Sequence, residues 1–234
     1  MDIQGFMDTA EVTCLLDTNA LYEAALQAIG LQQAEYIILD PLVEESLLQA
    51  ILTAGARPIF IDYSPEEHYY DTQLLEDFLS LSTLVNAKDE LIYRKDEAVV
   101  RAMVLTQNGT PSKVIEQIKF IAQRYHLVII EEFTKGFDEQ ESGKQGTISI
   151  AQVQTEEGTA GILLQRPLQT SPLARGLNRS KQIISTPESA RIIKAPLQLN
   201  AIAPTKQTPE TRLAQLQQHT FLSRNKIAPQ LLQS

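Results

Sequence analysis

Short apolar runs alternate with helix-period segments along the first two thirds of the chain. Residues 12–16 read as a strand, and residues 18–29 repeat apolar side chains at helical spacing (Leu21, Ala25, Leu26, Ile29) before Gly30, a residue suited to ending a helix. Residues 36–39 predict a second, fully buried strand. Asp40 then reads as a helix N-cap and Pro41 as the first helical position, with Leu47, Leu48, Ile51 and Leu52 as the apolar face. Residues 58–61 predict a third strand, 71–80 a short helix, and 84–93 a small hairpin around Lys88, Asp89 and Glu90. A strand at 99–105, a helix at 111–125 opened by Pro111, and strands at 127–130, 147–153 and 160–164 complete the pattern. Strands apolar throughout, alternating with helices, predict an α/β fold with a mostly parallel central sheet and helices on both faces.

The pattern dissolves after residue 165. Pro recurs at 167, 172, 187, 196, 204 and 209 among Ser, Thr, Gln and basic residues, which reads as a linker or arm. Leu213, Leu216, Phe221 and Leu222 are then spaced for a C-terminal helix. The expected organisation is an α/β domain over 1–165, a Pro-rich basic arm over 166–208 and a helix within 209–234. Charge divides at the same place: residues 1–165 hold 10 basic and 27 acidic side chains, and residues 166–234 hold 10 basic and 2 acidic. This split supports an arm that folds back over its own acidic domain or docks on an acidic partner.

At 234 residues with 43% hydrophobic side chains, one medium domain or one domain with an appendage is expected, and a fold of this size buries roughly 70% of its unfolded surface without needing a disulfide or structural metal. One Cys makes no disulfide framework, and three scattered His supply no zinc spacing, so no metal is expected. The net charge of -9 argues against a binder of nucleic-acid phosphates. No apolar run approaches the ~20 residues of a membrane span, and the acidic residues 1–10 do not resemble a signal peptide. A cytoplasmic location without membrane association is expected.

In open α/β sheets ligands bind beyond the carboxyl ends of the strands. Those ends are Asp17 with Thr18, Asp40, Asp62 with Tyr63, residues 106–109, and Glu131 with Glu132. Most are acidic, an unusual lining for a phosphate-bearing ligand at helix N-termini. Propensity favours N-cap roles for Asp17 and Asp40, and the helix dipole favours Glu44 and Glu45 in a first turn. Adjacent strand residues point to opposite faces, so at most one of Glu131 and Glu132 serves a given pocket. Cys14 reads as a small core residue, and the Gly residues at 143, 146, 158 and 161 form no phosphate loop.

The order of several segments resembles the large domain of the DegT/DnrJ/StrS pyridoxal-phosphate (PLP)-dependent sugar aminotransferases, of fold type I. Leu16-Asp-Thr-Asn-Ala-Leu21 is similar to the family's Gly-Thr-Ala-Ala-Leu helix start, and Ala54-Gly-Ala-Arg-Pro-Ile-Phe-Ile-Asp62 to its Gly-Ala-x-Pro-x-Phe-x-Asp strand. His126-Leu-Val-Ile-Ile-Glu-Glu-Phe-Thr-Lys135 resembles the strand ending in Glu-Asp-x-x-x-Gln, and Gly146-Thr-Ile-Ser-Ile150 the strand that precedes the catalytic lysine. The segment 80–99 is similar to an insertion in members of nonulosonic (legionaminic-type) sugar pathways. The likeness covers about residues 12–165.

The resemblance implies an altered active site. Counting from Gly146 and Ser149, the Schiff-base lysine falls at Gln154, which has no amine to condense with the cofactor aldehyde, so no catalytic residue is assigned. The Gly of the phosphate-binding helix start is Asp17, with Thr18 retained. The ring-stacking aromatic is Glu44, the Asp that pairs the pyridinium nitrogen is Glu132, the downstream Gln is Lys135, and the phosphate-contacting Ser149 is unchanged. A carboxylate at Asp17 about 4 Å from a phosphate would cost about 4 kcal/mol at an effective dielectric near 20, about a thousandfold in affinity.

These changes imply a degenerate, non-catalytic relative of the nucleotide-sugar aminotransferases of surface-polysaccharide biosynthesis, a pseudoenzyme that binds no cofactor, or PLP if any. One alternative is an active sugar aminotransferase in which Lys135 or Lys144 has taken over the lysine's role. Another is an interaction or assembly protein that uses its basic arm. The resemblance further implies a homodimer, or a heterodimer with an intact aminotransferase, and a nucleotide sugar as ligand.

Overall fold

The structure, a computed structural model, describes residues 11–15, 18–63, 69–106, 110–133, 146–155, 158–165 and 220–222. Among these residues no helix is long and apolar enough to cross a membrane. The chain runs β1 (Glu11–Leu15), α1 (Thr18–Ala28), β2 (Tyr36–Leu39), α2 (Glu45–Thr53), β3 (Arg57–Ile61), α3 (Thr72–Ser82), β4 (Thr83–Val85), β5 (Leu91–Tyr93), β6 (Ala98–Thr106), α4 (Ser112–Arg124), β7 (Val128–Phe133), β8 (Ile148–Thr155), β9 (Gly158–Gln165) and β10 (Thr220–Leu222). The sheet order is β1-β9-β8-β7-β6-β2-β3-β10, with the β4–β5 hairpin joined antiparallel to the start of β6.

The six strands from β8 to β10 pair in parallel, and β9 runs antiparallel between β8 and β1. This is the expected α/β fold. Alternation along each strand divides the core in two. Ile37, Leu39, Phe60, Val104 and Ile130 pack under Leu21, Leu26 and Ile29 of α1 and Leu47 and Ile51 of α2. Ile38, Ile59, Ile61, Met103 and Leu105 pack under Leu74 and Phe78 of α3 and Ile118 and Ile121 of α4. Both faces of the central strands are covered, which is why their sequences are apolar throughout.

Helix ends follow local chemistry. The Asp71 carboxylate accepts from the N–H of Leu74 at 3.0 Å and caps α3. Gly30 (φ 67°) and Gly55 (φ 72°) end α1 and α2 in left-handed turns, where the N–H groups of Leu31 and Ala56 return to the carbonyls of Leu26 and Ile51. His126 takes the same left-handed position after α4, with φ 57°.

The start of α2 differs from the sequence reading. Asp40 is not its N-cap and Pro41 is not its first residue: α2 begins at Glu45, with Glu44 at the cap. The Asp40 carboxylate instead accepts from the N–H of Leu42 at 2.6 Å, closing a turn directly at the end of β2. A second difference lies at the C-terminus. Thr220, Phe221 and Leu222 fall within the expected helix but form the short strand β10 on the outer edge of β3, in register with Ile59, Phe60 and Ile61. The remainder of 209–234 and all of 166–208 lie outside the described residues.

Candidate functional site

After β3 the chain returns to the other side of β2 to form β6, so the topological switch falls between the carboxyl ends of β2 and β6. Asp40 and Thr106 stand at those ends. Asp62 follows β3, and Glu131 and Glu132 close β7 on the same edge of the sheet. Asp40, Thr106, Glu131 and Glu132 are buried, and Asp62 is half-buried.

The two glutamates of β7 face opposite layers. Glu132 is in register with Thr106 and Ile150, on the α1/α2 side, whereas Glu131 is in register with Leu105 and Ser149, on the α3/α4 side. The two carboxylates therefore face opposite layers, as the alternation along a strand predicts. Oε1 of Glu132 accepts from the Tyr22 hydroxyl at 3.4 Å, and Oε2 accepts from the backbone N–H of Glu44 at 3.3 Å. An anionic oxygen beside the first turn of α2 also gains from the helix dipole.

Glu131 has its own partners. Its Oε2 accepts from the N–H of Gly146 at 3.0 Å and from the Ser149 hydroxyl at 2.9 Å. Gly146 is required by contact, because a Cβ there would lie 2.6 Å from the Ile148 carbonyl oxygen and 2.8 Å from Cβ of Glu131. The hydroxyl of Ser149 is thus directed to the layer away from Glu132.

On the α3/α4 side the electrostatics are acidic. Burial, with the Asp71 charge adding to it and the Tyr63 N–H opposing, raises the Asp62 carboxyl above its ordinary value. Burial first and the Asp40 charge second push the Tyr70 phenol well up, and its hydroxyl donates to the Val104 carbonyl at 3.1 Å. Across the switch point, the buried Oγ1 of Thr106 has no hydrogen-bond partner. No group of three or more His, Cys, Asp or Glu suited to a metal ion occurs among the described residues.

Of the residues singled out in the sequence, the fold brings Glu44 and Glu132 together and separates Ser149 from them. Thr18 is the first residue of α1. Gln154 lies in β8 opposite Thr159 of β9, one residue before the last paired position of the hairpin, Thr155 with Gly158. Asp17, Lys135 and Lys144 lie outside the described residues. Tyr22 was not visible as a site residue: it occupies a core position of α1, and only the fold brings it to Glu132.

A parallel sheet with a switch point between β2 and β6, ending in buried carboxylates on β7, fits the architecture implied by the ordered motifs. The sequence profile of the DegT/DnrJ/EryC1/StrS aminotransferase family matches residues 8–154. The chain belongs to this family. Among solved structures, its fold is similar to that of a DegT/DnrJ/EryC1/StrS aminotransferase from Brucella abortus, with a TM-score of 0.59 and 16% identity over 92% of this chain and 57% of that one. It is also similar to NtdA from Bacillus subtilis with bound cofactor PMP (TM-score 0.51, 17% identity, 75% of this chain and 37% of that one). A third is the GDP-4-keto-6-deoxy-D-mannose-3-dehydratase of E. coli with bound hydrated PLP (TM-score 0.53, 13% identity, 75% and 43%). At these identities the likeness is one of fold. The chain spans 57% or less of the length of these three structures. No curated protein matches the sequence.

Proposed function

We propose that this member of the aminotransferase family does not perform transamination and is retained as a binding or regulatory subunit beside an intact sugar aminotransferase. The observation that carries the reading is the state of Glu132. Its position is the one the family resemblance gives to the partner of the pyridinium nitrogen, yet its two oxygens accept from Tyr22 and from the backbone of Glu44. The neighbouring position for a stacked ring is Glu44 itself, an acid with no aromatic face to offer. Ser149, the one unaltered phosphate-contacting position, gives its hydroxyl to Glu131 in the opposite layer.

The residues present do not fit PLP. Gln154 supplies no amine for a covalent link, and a carboxylate at Asp17 would repel the phosphate. By the family resemblance, the ligand is a nucleotide sugar, the assembly a homodimer or a heterodimer with a complete aminotransferase, the pathway product a surface polysaccharide and the location the cytoplasm.

The test is borohydride reduction of the full chain after incubation with PLP, followed by peptide mapping of the adduct. The expected result is scattered substoichiometric labelling of surface amines. One equivalent fixed on Lys135 or Lys144 would overturn the reading and restore an active aminotransferase with a relocated lysine.

A further inference from the structure

Among the described residues, the outer edge of β3 is covered by β10 alone, the shortest strand of the parallel run, through three register pairs: Thr220 with Ile59, Phe221 with Phe60, and Leu222 with Ile61. Ile59, Phe60 and Ile61 are fully buried. Left uncovered, β3 would present unpaired backbone groups beside a continuous apolar stretch, the arrangement that templates pairing with other chains.

The covering strand is also remote in sequence. Residues 166–219, 54 in number, separate β9 from β10. Extended, that connection could reach about 180 Å, whereas the six strand spacings between β9 and β10 amount to about 29 Å. Its length therefore places no demand on how β10 meets the sheet. What the described residues show between β10 and the sheet is the parallel pairing with β3.

We propose that the β3 edge is an acceptor site for an extended apolar segment pairing in parallel, and that the chain's own residues 220–222 are its separable occupant. On this account β10 is a plug on an otherwise complete domain. The same segment supplied as a separate peptide takes its place, and displacing it opens an edge that self-associates. This is the mode of recognition by strand addition, in which main-chain bonds give the affinity.

The experiment uses the full chain carrying Thr220→Pro and Phe221→Pro together. Successive amides of a strand point to opposite sides, so one of the two substitutions removes a donor aimed at β3 whichever way the strand is set. Hydrogen exchange is followed in the 57–61 segment and in β6 and β7, with and without a synthetic peptide of residues 217–225. The expected result is exchange at least about tenfold faster at those amides of 59–61 that face β10, unchanged exchange in β6 and β7, and larger particles by light scattering. Adding the peptide restores both the protection and the original size. Unchanged exchange at 59–61 overturns the proposal, as does failure of the peptide to restore protection. Loss of protection throughout β6 and β7 also overturns it, because β10 would then be an integral strand of the domain.

Discussion

Tyr22 and Glu132 lie 110 residues apart in sequence and meet inside the domain, where the phenol donates to Oε1 of the carboxylate at 3.4 Å. The N–H of Glu44 reaches the other oxygen at 3.3 Å, so the glutamate ties α1, the start of α2 and β7 together. The bond from Tyr22 is long, and its loss is expected to cost about 1 kcal/mol, the value of an ordinary neutral hydrogen bond. Glu132→Ala is expected to cost about 3 kcal/mol, because it removes the acceptor shared by Tyr22 and the Glu44 N–H and opens a cavity. Urea denaturation of Tyr22→Phe and Glu132→Ala checks both values. Two neutral outcomes would show that the carboxylate is not held by these donors.

Gly146→Ala places a methyl group within 2.6 Å of one backbone oxygen and 3.0 Å of the Glu131 nitrogen. Backbone on both sides cannot yield as a flexible side chain would, so the expected loss is about 2–3 kcal/mol. Ser149→Ala removes only one of the donors to Glu131 and is expected to cost less, about 1–2 kcal/mol. Thermal denaturation of the two variants side by side tests the order.

Asp62 gives a pH signature. Burial is the main reason its carboxyl lies above the ordinary value of 3.8, so folding favours the protonated form. Its favourable contribution is complete below the unfolded value and is lost as pH rises through the raised folded value. Asp62→Asn, uncharged at every pH, is expected to be more stable than the parent at neutral pH and to lose that advantage below about pH 4. Urea midpoints of both proteins on either side of that range decide it, and a difference independent of pH would contradict the assignment.

His126 stands at φ 57° after α4, a conformation glycine adopts without cost to a Cβ, and its buried Nδ1 has no hydrogen-bond partner. His126→Gly is expected to stabilise the domain by about 1 kcal/mol, seen as a rise in Tm of a few degrees. A fall in Tm would mean that packing of the ring outweighs the backbone strain.

The strands expected at 36–39, 58–61 and 127–130 were legible because burial on both faces leaves an apolar run with few alternatives, whereas the continuation of β7 through Glu131 and Glu132 to Phe133 was not. The 83–93 hairpin was legible because Asn86 to Glu90 hold the residues a tight turn needs. Asp40 and Pro41 misled because an Asp-Pro pair before an apolar helix is the usual signal of a helix start, while the fold uses that carboxylate to close the turn on Leu42. The antiparallel pairing of β1 with β9 and the bond from Tyr22 to Glu132 depend on contacts far apart in sequence, which periodicity does not encode. At 220–222, apolar residues spaced for a helix were taken instead by the open edge of β3, where sheet pairing overrides local preference. Within the site, motif order singles out Glu44, Glu132 and Ser149, but the separation of Ser149 from Glu132 required the register of β7 against β8.

The proposed function requires that the site at Glu132 and Glu44 does not hold pyridoxal phosphate. Equilibrium dialysis of the full chain against increasing PLP, with the absorbance of the retained cofactor recorded at each step, is the decisive experiment. No saturable binding is expected, and the spectrum should be identical to that of free PLP. Saturation at one equivalent per chain, with the shifted absorbance of a bound aldimine, would contradict it.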